Sequence, residues 1–117
     1  MHAHKIKVPS FEKRKADCDK VMGKYPDKIP VVCEIHEKAS IPALPKSMFL
    51  VPNDMTVHQL NYVIRKRLDL AAEETIYLMV NKNYLLKADS ILGVIYSEKK
   101  DLDGYLYITI TQESSLG

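Results

Sequence analysis

FLVPNDMTVHQLNYVIRKRL, residues 49–68, decides the fold. Its opening residues finish a short apolar strand, read over Met48–Val51 and halted at Pro52, which has no N–H to give a sheet. Asn53-Asp54 then turn the chain. Thr56 opens a helix, because with Gln59 three residues on it makes a capping box in which each side chain takes the other's backbone N–H. Val57, Leu60, Ile64 and Leu68 recur at helical spacing and mark one face for burial. Arg65, Lys66 and Arg67 fall in the last turn, where cations suit the helix dipole.

Upstream, Ile29–Ile35 (IPVVCEI) is rich in β-branched residues and reads as a strand. Pro42 and Pro45 make Ala39–Pro45 a connection. Ser10 caps a predicted helix over 11–24, with Phe11, Cys18, Val21 and Met22 near one stripe and Glu12, Lys13, Arg14, Lys15 and Asp19 largely off it. Gly23 and Pro26 stop it, and a further short helix fits before Pro9. Downstream, Thr75–Val80 (TIYLMV) is a third strand. Asp89-Ser90 precede a short helix whose apolar residues are Ile91, Leu92, Val94, Ile95 and Tyr96. Asp101–Gly104 is a turn, and Tyr105–Thr111 (YLYITIT) closes the chain with period-two alternation.

Helix, strand, strand, helix, strand, helix, strand is the order of a β-grasp domain. The expected class is α+β: a four-stranded mixed sheet crossed by the long helix, with two additional N-terminal helices. A single domain over 1–117 is expected, with an N-terminal helical part over 1–27, a β-grasp core over 28–112 and a flexible tail over 113–117.

Composition agrees with one globular domain, at 117 residues, 46% hydrophobic and 27% charged. No apolar run approaches the ~20 residues of a membrane span, and Met1–Lys5 is not followed by a signal-peptide core. Membrane association is therefore expected to be acquired. Cys18 and Cys33 fit neither a disulfide framework nor a zinc site, and read as a reduced, cytosolic pair. The net charge of +2 hides an asymmetry: residues 1–28 carry eight Lys/Arg against four Asp/Glu. Such a segment suits acidic lipid or an acidic partner, or is simply a solvated helix face. Nucleic acid is not expected, since no aromatic residues interleave with the cations.

Enzyme signatures are absent: there is no GxSxG, phosphate-cradling glycine loop, HExxH or CxxC. His2, His4, His36 and His58 lack metal-ligand spacing, and Glu73-Glu74 suits a turn better than a catalytic carboxylate pair. The chain reads as no enzyme, with no metal and no cofactor.

The segments FEKR (11–14), YPDKIPV (25–31), LVP (50–52), TV (56–57), VIRKR (63–67), VN (80–81) and LY (106–107), in this order and spacing, resemble the autophagy ubiquitin-like modifiers, the GABARAP-type proteins. The resemblance runs from about Pro9 to Gly117. There are departures. Lys82–Lys87 (KNYLLK) lacks the paired prolines usual after the third strand, Met48 stands where lysine is common, and Leu116 replaces the usual aromatic before the last glycine. The sequence stops at Gly117, so conjugation is expected to need no prior trimming.

The resemblance implies that the Gly117 carboxylate is adenylated by an activating enzyme, passed as a thioester to a conjugating enzyme, and joined to the amine of phosphatidylethanolamine. A deconjugating cysteine protease would reverse the step. A terminal glycine fits because a Cβ would crowd attack on the activated carbonyl. The resemblance further implies that the Lys46–Pro52 edge accepts receptor peptides with an aromatic, two variable residues and a branched aliphatic, a strand-addition mode. The aromatic pocket would be Asp17, Val21, Pro30, Val32, Met48, Leu50 and Tyr105. The aliphatic pocket would be Phe49, Val51, Pro52, Met55, Leu60, Val63 and Arg67, of which Leu60 and Val63 equally suit the core. Lys28, Lys46 and Arg67 would attract acids flanking the motif. The implied life is that of a monomer in the cytoplasm that moves to the autophagosome membrane on lipidation, and so to vesicles bound for vacuole or lysosome. The alternative of a different class is a cytoskeletal or trafficking adaptor, with basic N-terminal helices on acidic tubulin or receptor segments and Gly117 inert.

Overall fold

The long helix lies across one face of a mixed sheet, as its apolar repeat requires. The computed structural model describes residues 2–112, in the order α1 (Ala3–Lys7), α2 (Phe11–Lys24), β1 (Lys28–Ile35), β2 (Met48–Pro52), α3 (Val57–Leu68), β3 (Ile76–Val80), β4 (Tyr84–Leu85), α4 (Leu92–Lys99) and β5 (Leu106–Gln112). The predicted tail over 113–117 lies outside the described residues. The sheet order is β2-β1-β5-β3-β4, with β1 and β5 parallel at its centre and the other neighbours antiparallel.

Five strands replace the expected four. The extra strand is β4, two residues that pair Met79 with Leu85 and Val80 with Tyr84. Two residues are too few to show a period. The turn before them is also disguised: Asn81 (φ 51°) and Lys82 (φ 74°) both take left-handed backbone without the glycine that usually announces such a hairpin. Pro52, expected to halt β2, is instead its last residue, which an edge strand tolerates.

The α3 face is dry. The capping box is complete, with Gln59 N–H on Thr56 Oγ1 at 3.1 Å and Thr56 N–H on Gln59 Oε1 at 2.9 Å. Val57, Leu60, Ile64 and Leu68 are buried against Ile29, Val31, Cys33, Phe49, Val51 and Ile108 of the sheet. Arg65 does more than suit a dipole, since its guanidinium donates to the carbonyls of Glu74 and Ala71 and fastens the loop after the helix. From α4 only Leu92 and Ile95 are buried, while Val94 and Ile91, expected on its apolar face, are exposed.

The opposite face is polar at its heart. Arg14, expected off the buried stripe of α2, is buried. Its Nε donates to Asp103 Oδ2 at 2.9 Å, and its Nη1 to the carbonyls of Val8 and Pro9, both at 2.9 Å. Asp103 is fully buried and accepts further bonds from Tyr107 Oη (2.7 Å) and the Tyr105 N–H (3.0 Å). Phe11, expected on that stripe, is exposed, with the Arg14 guanidinium 5.9 Å from its ring centre. A buried carboxylate demands a buried cation, and that demand overrides the hydrophobic pattern of α2. Gly104 completes the junction: at φ 97° a Cβ there would lie 2.7 Å from Cys18 Sγ.

Helix α1 is held on this face by polar contacts and buries no residue. His2 Nδ1 meets Glu34 Oε1 at 2.7 Å, the His4 N–H donates to Glu34 Oε2 at 2.9 Å, and Lys5 Nζ reaches Asp101 Oδ1 at 2.7 Å. Burial alone would raise the Asp101 carboxyl, but the Lys5 ammonium and the Asp103 backbone N–H outweigh it and hold it below the ordinary value.

Candidate functional site

β2 is an outer strand, with β1 on one side and no strand on the other among the described residues. Which backbone groups it leaves unpaired follows from its alternation. The Cys33 N–H donates to the Ser47 carbonyl and the Asn53 N–H to the Asp27 carbonyl, while Phe49 and Val51 sit between, opposite Val31 and Ile29. Odd-numbered residues of this stretch therefore turn their backbone toward β1, and even-numbered ones turn it outward. Pro30 opposite Leu50 obeys the same rule, since its missing N–H falls in a pair that exchanges no hydrogen bond. Pro52 has no N–H, and its carbonyl is taken by the Met55 N–H. What remains on the open edge is the N–H and C=O of Met48 and of Leu50.

Side chains alternate too. Phe49 and Val51 face the α3 core, and Met48 and Leu50 face α2. The residues assigned by resemblance to the aromatic pocket gather on the α2 side. Val32 pairs with Met48 and Pro30 with Leu50, Tyr105 lies just before β5, and Asp17 and Val21 come from α2. Val32, Pro30 and Tyr105 are buried, whereas Asp17 is nearly half exposed and loosely paired with Lys13 at 3.3 Å. Burial, with the carboxylates of Asp17 and Asp103 adding to it, pushes the Tyr105 phenol up to about 12.

The residues of the aliphatic pocket gather on the α3 side. Phe49, Val51 and Leu60 belong to the core, Met55 and Val63 pack at its margin, and Pro52 and Arg67 are exposed. The Arg67 guanidinium lies 5.0 Å from the Phe49 ring centre, a cation over an aromatic face. Lys46 precedes β2 and Lys28 stands opposite Pro52, so exposed cations mark both ends of the edge.

Two contributors were not assigned to this site from the sequence. Met22 packs on the same small cluster as Met48, and the His4 ring meets Tyr105 edge-on at 5.1 Å. Met22 sits on the predicted stripe of α2, where spacing cannot separate core from pocket wall. His4 carried no signal, because its partner is about a hundred residues away. Cys18 and Cys33 are free, buried thiols on opposite faces of the sheet. Burial raises both, Cys18 to about 11. Gly117 lies outside the described residues. No helix among those residues is long and apolar enough to cross a membrane.

Comparison with known proteins adds sequence and structural relatives. The family model described as autophagy protein Atg8, ubiquitin like, matches residues 13–117. Autophagy-related protein 8 of Mycosarcoma maydis is 45% identical over 108 residues, 92% of this chain and 91% of that protein. Autophagy-related protein 8e of Arabidopsis thaliana is 47% identical over 107 residues, 92% and 87% respectively. The crystal structure of Trypanosoma brucei ATG8 superposes with a TM-score of 0.84 at 38% identity, covering 89% of each chain. Plasmodium falciparum Atg8 in complex with a Plasmodium falciparum Atg3 peptide superposes with a TM-score of 0.85 at 36% identity, covering 97% of this chain and 98% of that one.

Proposed function

This chain belongs to the Atg8 family of ubiquitin-like autophagy proteins, and on that premise we propose that it is a modifier joined through Gly117 to phosphatidylethanolamine, whose β2 edge then recruits receptors and cargo. The observation that supports docking most directly is the two-faced edge. A peptide added to β2 is extended, so residues three apart point to opposite faces of the sheet. The two pockets lie on opposite faces, one under α2 and one beside α3. An aromatic and a branched aliphatic with two residues between them fit that layout, and an even spacing does not. Exposed Lys46, Lys28 and Arg67 favour acids beside the motif. The Plasmodium falciparum relative, solved with an Atg3 peptide, supports a short peptide as ligand for this fold.

At the terminus the chain acts as substrate rather than enzyme. After adenylation by the activating enzyme and transfer to a cysteine of the conjugating enzyme, the lipid amine attacks the Gly117 carbonyl. A C–N bond forms, the thiolate leaves and the amine loses a proton. Each buried CH₂ of the acyl chains then contributes about 0.8 kcal/mol to anchoring, so two chains hold the protein stably. A cytoplasmic protein thereby becomes a resident of the autophagosome membrane, until a cysteine protease cuts the amide. The adaptor alternative is weakened by the charges it needs. Lys5, Lys13 and Lys15 are paired with Asp101, Asp17 and Asp19 and Arg14 is buried, so of the eight cations over residues 1–28 only Lys7, Lys20, Lys24 and Lys28 are left for an acidic partner.

The test combines activating and conjugating enzymes, ATP and phosphatidylethanolamine liposomes with this chain. The expected product carries lipid on the Gly117 carboxylate by mass spectrometry. An adduct on a lysine, or none, would refute the conjugation. For the edge, calorimetry should show micromolar binding of an acid-flanked aromatic-x-x-aliphatic peptide, about −8 kcal/mol, weakened by Leu50→Ala and by Lys46→Glu. Unchanged affinity in both variants would place the site elsewhere.

A further inference from the structure

The floor of the aromatic pocket is covered. Val32 is 0% and Tyr105 3% exposed, so an aromatic side chain arriving at β2 reaches neither unless something moves. Met22 from α2 and Met48 from β2 are the half-buried side chains packed on the cluster that contains both floor residues. Met48 stands directly opposite Val32 in the strand register. Two unbranched, flexible side chains from different elements therefore pack on one small apolar floor, which Cys18 and, over Tyr105, the His4 ring also help to cover.

Methionine suits such a cover. It has three rotatable bonds, repacks cheaply, and its sulfur is favourable at the edge of an aromatic ring. A β-branched residue at either place would be stiff at χ1. The aliphatic pocket has one methionine, Met55, at its margin, over a floor of Phe49, Val51 and Leu60 that is part of the main core.

We infer that Met22 and Met48 form a movable lid over the aromatic pocket, displaced by the incoming aromatic side chain of an acidic, extended partner peptide and repacked around its ring. The inference rests on the reading of the β2 edge as a peptide groove. The occupant is set by the outward N–H and C=O of Met48 and Leu50 and by the cations at the rim. Two consequences follow. Apparent affinity is reduced by the fraction of molecules whose lid is open at any moment. Selection among aromatics is shallow, because the lid adapts to the ring: peptides with Trp, Phe or Tyr should bind within about tenfold of one another.

The probe is a synthetic peptide with an acidic run, Trp, two alanines and Leu, beside a version with Ala in place of Trp. In ¹³C-methyl-methionine spectra of the wild-type chain, the Met22 and Met48 methyls should shift with the Trp peptide and stay with the Ala peptide, while Met79, buried in β3, stays throughout. Met22→Ile/Met48→Ile should weaken the Trp peptide roughly tenfold and leave the residual binding of the Ala peptide unchanged, a coupling specific to the aromatic. If the Trp peptide binds and perturbs β2 amides while both methyls stay still, or if the double variant weakens both peptides equally, the lid is wrong and the groove survives. If neither peptide perturbs β2, the groove itself is wrong and the lid falls with it.

Discussion

The two faces of the sheet are built on different physics. The α3 face is held chiefly by apolar burial, with Val57, Leu60, Ile64 and Leu68 against a floor of Ile, Val and Phe and with Asn61 and Arg65 donating to backbone carbonyls at its margin. The α2 face has a small apolar cluster of Cys18, Val32, Tyr105 and Tyr107 around a buried ion pair, Arg14–Asp103. Apolar burial is non-directional and forgiving of shape. A buried ion pair stabilises only while both partners are present and hydrogen-bonded. The difference teaches where this fold is brittle: the face that carries the N-terminal helices and the aromatic pocket depends on a few specific bonds.

The largest expected effect tests that brittleness. Asp103→Ala leaves the Arg14 guanidinium buried without its carboxylate and should cost about 3–5 kcal/mol in urea unfolding. If the pair is a specificity device rather than a source of net stability, Arg14→Met/Asp103→Leu should recover most of that loss. A double variant as unstable as the single one would break the comparison, since the cost would then lie in packing or in the Tyr107 hydroxyl and Tyr105 N–H left without Asp103, and not in the ion pair. Ile64→Ala, on the dry face, comes next at about 2–4 kcal/mol, as a cavity with no polar group left stranded. A loss well under 1 kcal/mol would mean that α3 is not seated as the structure places it.

These two faces were not equally legible. The repeat of α3 and its capping box are local, so neighbours in sequence are neighbours in space and the pattern declares itself. The β1, β3 and β5 assignments hold to within a residue or so at each end for the same reason. Arg14 and Asp103 are 89 residues apart, and no local pattern links them. Arg14 therefore read as a solvated residue and Phe11 as a buried one, the reverse of what the structure shows. β4 escaped because two residues carry no period. At the candidate site the alternation of β2 was readable, and the outward backbone of Met48 and Leu50 follows from it once the register is known. The lid was not readable, because Met22 meets the pocket floor only through tertiary packing.

Alkaline pH should also separate the faces. Burial pushes Cys18 to about 11 and Tyr96 and Tyr105 to about 12, from ordinary values of 9.0 and 10.0. Tyr107 moves the same way, with burial first and its bond to Asp103 adding to it. A group whose folded value is raised supports the native state below its unfolded value, and that support is lost as pH rises through the folded one. Stability should thus fall between about pH 9 and pH 12, by something on the order of 2 kcal/mol per group when fully expressed. Burial raises Cys33 in the main core as well, and Tyr96 packs on that core, but Cys18, Tyr105 and Tyr107 all lie in the α2 cluster, so amide exchange should rise in α1 and α2 before α3. Simultaneous exchange in α2 and α3 would show that the two faces open as one unit.

The smallest effect is the most discriminating. Lys5 and Asp101 are each about a quarter exposed, so solvent screens the pair and Lys5→Ala should cost only about 0.2–1 kcal/mol near neutral pH. Its pH dependence carries the information. The Asp101 carboxyl is held below its ordinary 3.8, where burial opposes the shift and the Lys5 ammonium and Asp103 N–H prevail. A lowered folded value gives stability that is present above the unfolded value and lost as pH falls through the folded one. The difference between wild type and Lys5→Ala should therefore vanish as Asp101 takes up its proton, while the Ile64→Ala difference, which involves no charge, persists across the same range. Paired denaturation curves at neutral and strongly acid pH measure both. A Lys5→Ala cost that survives in acid would mean that α1 is held by the packing of the Lys5 stem over the Tyr107 ring, 5.2 Å from the ammonium. The N-terminal face would then be less polar in its energetics than in its contacts.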